Sequence, residues 1–185
     1  MTRSADIARV LAVHRSPVHE FSKQSVETIE LHEGLGVVGD AHYGATVQHR
    51  SRVAADPSQP NVRQVHLLHA ELFELTEAAG HPVRPGELGE NVTTTGIDLL
   101  GLPVGTRLRL GADAVVTITG LRNPCRQING LSNGLLKHLV RQSEDGTAER
   151  LAGVMGIVSR GGHVGASDQI VVELPPQPHH PLTKV

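Results

Sequence analysis

Cysteine and aromatic side chains are nearly absent: one cysteine, no tryptophan, one tyrosine and two phenylalanines in 185 residues. A lone cysteine excludes an internal disulfide, so nothing calls for an oxidising compartment. It also excludes a protein-held iron–sulfur cluster, which takes several thiolates. The shortage of rings argues against base-stacking nucleic-acid modules. A net charge of -2 leaves no electrostatic footprint for a polyanion. No run approaches the ~18 apolar residues of a membrane span, and residues 1–6 lack the apolar stretch of a secretory signal. The expectation is a soluble cytoplasmic protein that binds neither nucleic acid nor membrane.

What is present is Leu, Val, Ile and Ala for a core, together with 20 glycines, 11 prolines and 12 histidines. Fourteen of the 17 basic residues are arginine, the side chain suited to fork-like recognition of carboxylate or phosphate. Apolar runs predict strands over 7–14, 26–31, 92–95, 107–110 and 115–121. Leu68, Leu72, Leu75 and Ala79 share one face of a predicted helix over 69–79, which Gly80 ends. A second helix is predicted from about Ser132, carrying Leu135, Leu136, Leu139 and Val140 and ending by 144–146. Residues 154–158 and 169–174 read as a closing β-pair, and 47–61 as a long surface loop. This pattern predicts one mainly β, α+β domain over 1–174, barrel-like with short flanking helices. The proline-rich 175–185 reads as a disordered tail.

Cys125 is the chemical focus. It follows the strand pattern at 115–121 and the segment Leu121-Arg122-Asn123-Pro124, where proline breaks the ladder and extends Asn123. Such a strand end can present the thiol to a cleft, where flanking arginines favour the thiolate that binds soft metals or attacks electrophiles. A small buried hydrophobe is the competing reading. Gly34-Leu-Gly-Val-Val-Gly-Asp-Ala-His-Tyr-Gly44 holds four glycines in eleven positions. It is either a backbone cradle for phosphate or a corner turn. Histidine spacing does not form the H-E-x-x-H pattern of a zinc hydrolase, although His42, His49, His66, His69 and His163 are candidate ligands.

In order along the chain, Gly39-Asp40-Ala41-His42-Tyr43-Gly44, Arg63-Gln64-Val65, Pro85-Gly-Glu-Leu-Gly-Glu-Asn91, Gly96-Ile-Asp98, Gly105-Thr-Arg-Leu108 and Arg122-Asn-Pro-Cys125 resemble the MOSC domain family, named for the C-terminal part of molybdenum-cofactor sulfurases. The likeness is to its small stand-alone bacterial members. It implies a MOSC-type β-barrel and a cysteine, here Cys125, that ligates the molybdenum of a pyranopterin cofactor or carries a persulfide sulfur. Family members include the amidoxime-reducing component of mitochondria and bacterial proteins that detoxify N-hydroxylated bases.

The implied activity is therefore reduction of N-hydroxylated compounds, with electrons from an external reductase. Alternatives are a non-catalytic carrier delivering sulfur or cofactor to an acceptor enzyme, and a cysteine-nucleophile enzyme using a histidine base. The implied cofactor-binding residues are Gly39, Asp40, His42, Arg63, Asn91, Arg122 and Asn123, with Cys125 as catalytic residue and metal ligand. For Asp40 and His42 the roles open are holding the pterin, moving a proton, or capping a turn. For Asn91 they are a pterin contact or an Asx-turn, and for Arg63 a phosphate contact or a solvated charge. Two positions depart from the family: it often has Lys or Arg at the place of Asn123, and Gly-Asp where Ser167-Asp168 stands.

Overall fold

In Arg107-Leu-Arg-Leu110 the leucines are buried and the arginines exposed, the period-two signature of a sheet with one wet face. The computed structural model describes residues 7–142 and 146–185. Its strands are β1 (Arg9–Arg15), β2 (Gln24–Val26), β3 (Thr28–His32), β4 (Gly36–Val37), β5 (Val65–His69), β6 (Val92–Thr95), β7 (Arg107–Leu110), β8 (Ala114–Leu121), β9 (Val140–Gln142), β10 (Ala148–Arg150), β11 (Val154–Arg160), β12 (Gly162–Gly165) and β13 (Ile170–Glu173). The helices are short: α1 (Arg50–Ala55), α2 (Glu71–Ala78), α3 (Leu136–Leu139) and a 3-10 turn over Arg126–Gly130. The fold is mainly β with few helices, as expected.

Eight strands form one sheet in the order β13-β7-β8-β11-β5-β6-β1-β2, antiparallel except for the parallel β5–β6 pair. A second sheet, β12-β3-β4, contributes Ile29, Leu31, Val37 and Val164 to the same apolar core. The large sheet curls until β1 meets the segment before β13. They touch at one bridge, Arg9 opposite Gln169, with Val10 N–H donating to Asp168 O at 2.9 Å and Ile170 N–H to Ala8 O at 2.8 Å. β13 begins one residue past that bridge and runs out along β7, so no ladder extends across the seam. The closed barrel of the sequence reading is not formed.

β5 is buried on both faces. Leu67 enters the core inside the curled sheet. Leu68 joins a second cluster with Leu72, Leu88, Ile128, Leu135 and Leu139 beneath the helices. This displaces the predicted helix: 65–69 is strand, and α2 starts at Glu71 with Leu72 and Thr76 inward. Leu75, assigned to the buried face, is 49% exposed. The second helix is only α3, because Val140 already belongs to β9 and pairs with β10; residues 144 and 145 of its expected end lie outside the described residues. The loop over 47–61 contains α1.

The expected pairing of 154–158 with 169–174 is also replaced. β11 pairs with β5 and β8, β13 with β7. Between them Gly161 passes so close to β3 that a Cβ would stand 2.7 Å from Leu31 O, and β12 is laid on β3.

The last residues dock instead of hanging free. Leu182 is buried, Lys184 bridges Leu121, and Leu121 N–H donates to Thr183 O at 2.8 Å. Gly120 permits this approach, since a Cβ there would meet Thr183 O and a Val185 methyl, each at 2.5 Å. Proline blocks ladder donation only at its own nitrogen; 182–185 are free to pair.

Candidate functional site

β8 delivers the chain to Leu121, and Pro124 stops the ladder. Cys125 then opens the 3-10 turn, its carbonyl accepting from Ile128 N–H at 3.1 Å. The thiol is exposed and donates to Gln127 Oε1 at 3.4 Å. It stands on the wall of a cavity of about 380 Å³. The bland reading of a buried thiol is thereby excluded.

The walls come from distant parts of the chain: 19–23, 42–52, 61–66, Gly89, Asn91, 122–127, Met155 and Val185. Five cationic side chains line it, Lys23, Arg50, Arg52, Arg63 and Arg122, against Glu20 as the one acidic side chain among the described lining residues. In a protein of net charge -2 this is a localised anion-attracting cleft. Arg122 is buried and lies over the Phe21 ring at 5.7 Å. Its Nη1 and the Nε of Arg63 are buried with no hydrogen-bond partner. Unmet guanidinium N–H groups at a cavity wall are costly unless a ligand takes them. Burial, with Arg52 and Arg122 nearby, pulls Arg63 down to about 10, and a charge on Cys125 would oppose that. Burial among Arg63, Arg52 and Arg122 likewise lowers His49 to about 4.

Beneath the cavity sits Asp40. Its Oδ2 meets Lys23 Nζ at 2.8 Å and accepts from Ser16 N–H at 3.2 Å and Asn91 Nδ2 at 3.1 Å. Oδ1 accepts from His42 N–H at 3.0 Å and His42 Nδ1 at 3.2 Å. Burial opposes ionisation, but the hydrogen bond from His42 and the ammonium of Lys23 outweigh it and hold the carboxyl well below the usual carboxylate range. With Nδ1 donating to Asp40, the neutral His42 ring keeps a lone pair on Nε2 at the cavity wall; burial lowers its pKa.

Of the residues singled out from sequence, Cys125, His42, Arg63, Asn91, Arg122 and Asn123 line this cavity, while Gly39 and Asp40 do not. Gly39 serves a turn at φ 75, and of the glycine-rich segment 34–44 only His42 reaches the cavity wall. Asp40 and His42 meet in a turn, not in an extended strand. Asn91 is already engaged: its Oδ1 accepts from His66 N–H at 3.1 Å, and its amide donates to His14 O and Asp40. Asn123 Oδ1 accepts from Arg150 Nε at 3.2 Å, so β10 brings a guanidinium to the position where the family often carries a cation. Among the described residues, no group of three His, Cys, Asp or Glu side chains is arranged to hold a metal ion.

Sequence reasoning missed Lys23, a rare lysine placed by a polar segment without pattern. It missed Arg52 too, because the loop over 47–61 folds back as a wall; His49, named from sequence only as a candidate metal ligand, stands on that wall as well. His19, His42 and His49 stand in a row, ring centroids 5.4 and 6.0 Å apart; no periodic signal in the sequence connects them.

The family profile described as MOSC domain matches residues 38–171. Among solved structures the chain is similar to the YuaD protein from Bacillus subtilis, with a TM-score of 0.74 and 24% identity, covering 91% of this chain and 97% of that one. It is similar also to YiiM from Geobacillus stearothermophilus, at TM-score 0.60 and 16% identity over 90% of this chain and 75% of that one. YiiM from Escherichia coli gives TM-score 0.60 and 18% identity over 93% and 73%. At such identities the likeness is one of fold. No curated protein matches the sequence.

Proposed function

Because the chain belongs to the MOSC domain family, we propose that it binds a molybdenum cofactor in this cavity and reduces N-hydroxylated compounds there. The observation that carries the reading is the exposed Cys125 thiol sharing one cavity with the guanidiniums of Arg63 and Arg122, each of which has one buried nitrogen without a partner, Nε and Nη1 respectively. The donor set fits both ends of such a group. A thiolate suits molybdenum, whose remaining soft donors would be the cofactor's own sulfurs. Arg63 and Arg122 suit a phosphate, which accepts from guanidinium forks. When bound, the group would supply two-electron chemistry at an N–O bond.

The chain's own residues do the rest. Cys125 would hold the metal, and Arg63 and Arg122 would hold and orient the phosphate. Asp40 keeps Lys23 charged and His42 fixed in one tautomer. His42 Nε2 offers an acceptor to the bound molecule. Electrons would come from a partner reductase. The test is molybdenum content and turnover of an amidoxime or N-hydroxylated purine, using protein made in a cofactor-competent host with a chemical reductant. Cys125→Ala should lose both, and full turnover by that variant rejects the assignment. A sulfur-carrier reading draws on the same exposed thiol; it predicts a mass increase of about 32 Da on Cys125 without molybdenum.

A further inference from the structure

Glu90 is fully buried between two cavity-lining residues, Gly89 and Asn91, and the chemistry assigned above gives it no task. Its Oε1 accepts from Gly86 N–H and from Thr93 Oγ at 3.0 Å, while Oε2 is buried with no partner. Thr93 Oγ lies 3.0 Å from His14 Nε2, and His14 Nδ1 lies 3.0 Å from Ser25 Oγ. Thr93, His14 and Glu90 are fully buried, whereas Ser25 is exposed on the edge strand β2.

Donor accounting gives this chain a direction. Oε1 already accepts, so the Thr93 hydroxyl proton points at it. Thr93 must then accept from His14 Nε2–H, because a neutral imidazole donates from one nitrogen only. Nδ1 is left to accept from the Ser25 hydroxyl. Every proton in the row points inward, from the surface toward Glu90. The ring must be neutral for this, and burial together with the charge of Lys23 lowers His14 to about 4. Glu90 faces the charges of Arg122 and Lys23, both on the cavity wall. Burial raises its carboxyl above the usual range.

We propose that Ser25, His14, Thr93 and Glu90 form a proton relay that carries protons from solvent to the cavity floor beside Arg122. The proposal deepens the reductive reading and rests on it for its purpose. Reducing an N–OH group to N–H takes two electrons and two protons and releases water. The electrons are the partner reductase's, and the relay supplies protons from the floor side, opposite the mouth where the Cys125 thiol is exposed.

Two measurements test it. In cofactor-free protein the carboxylic-acid C=O stretch, assigned by its loss in Glu90→Gln, should be present at neutral pH and shift promptly on transfer to D₂O. In Thr93→Val, which keeps the shape but removes the hydroxyl, the shift should wait for opening of the structure. In loaded protein Thr93→Val should lower kcat by about 10²-fold, the low end for positioned proton transfer, with KM unchanged and a larger solvent isotope effect. Thr93→Ser should restore both readouts, which a packing role for the methyl group would not. Prompt exchange in Thr93→Val, absence of the acid band, or undiminished kcat overturns the relay. If Thr93-dependent exchange is found while wild type turns over no N-hydroxylated compound, the relay stands and the reductive reading falls. If Cys125→Ala abolishes turnover while Thr93→Val changes nothing, the reverse holds.

Discussion

Replacing Asp40 by asparagine tests whether the cavity floor is held by charge. The side chains of Lys23 and Asp40 are 4% and 1% exposed, with 2.8 Å between Nζ and Oδ2. Removing one member of such a pair leaves a buried charge without its partner, at a cost of about 3–5 kcal/mol. Asparagine worsens this, because one acceptor becomes an NH₂ group among the donors Lys23, Asn91 and Ser16. Lys23→Met should cost less, about 1–3 kcal/mol, since four N–H bonds still satisfy the carboxylate. The assay is guanidinium unfolding at neutral pH for both single variants and the double. The double should be more stable than the sum of the singles implies.

Acid supplies a second reading. Asp40's folded pKa lies below its unfolded value of about 3.9, so its contribution is complete above that pH and fades as pH falls through the folded value. The gap between wild type and Asp40→Asn should therefore narrow in acid. A cost below about 1 kcal/mol, or a gap independent of pH, refutes the reasoning.

Three further outcomes are expected. Arg63→Gln should weaken inorganic phosphate binding by about tenfold or more by calorimetry, because it removes a guanidinium whose Nε–H has no partner within the protein. Ser167→Gly should stabilise the fold by about 1 kcal/mol in denaturant titration, because Ser167 sits at φ 73, in the left-handed region that costs a side chain about 1–2 kcal/mol. Gly120→Ala should lower stability by about 1–3 kcal/mol and expose the last residues to carboxypeptidase, since its methyl group occupies the place of Thr183 O and Val185.

Clean alternation made β7 legible from sequence, and runs of β-branched residues did the same for β6 and β8. β5 was not, because burial on both faces turns Val65-His-Leu-Leu-His69 into a continuous run that reads equally as helix. Ser167 also fits what the resemblance implies, since the backbone there takes the conformation that the family's glycine adopts freely. Within the site, proline and the preceding strand placed Cys125, and the arginines followed from local motif. Lys23, Arg52 and Glu90 owe their positions to tertiary closure, which leaves no periodic trace. Asp40 and Asn91 stood out in the sequence, but their mutual hydrogen bond, which ties the floor of a cavity that Asn91 also lines, is set by tertiary closure.

The parallel β5–β6 pair sits in mid-sheet, and β5's other neighbour is β11, where Met155 lies opposite His66. During synthesis, everything before residue 154 emerges without the strand that joins β8 to β5. The cavity thus has no continuous back wall until late in translation, and a ribosome-stalled fragment ending before β11 would be unable to receive any large ligand.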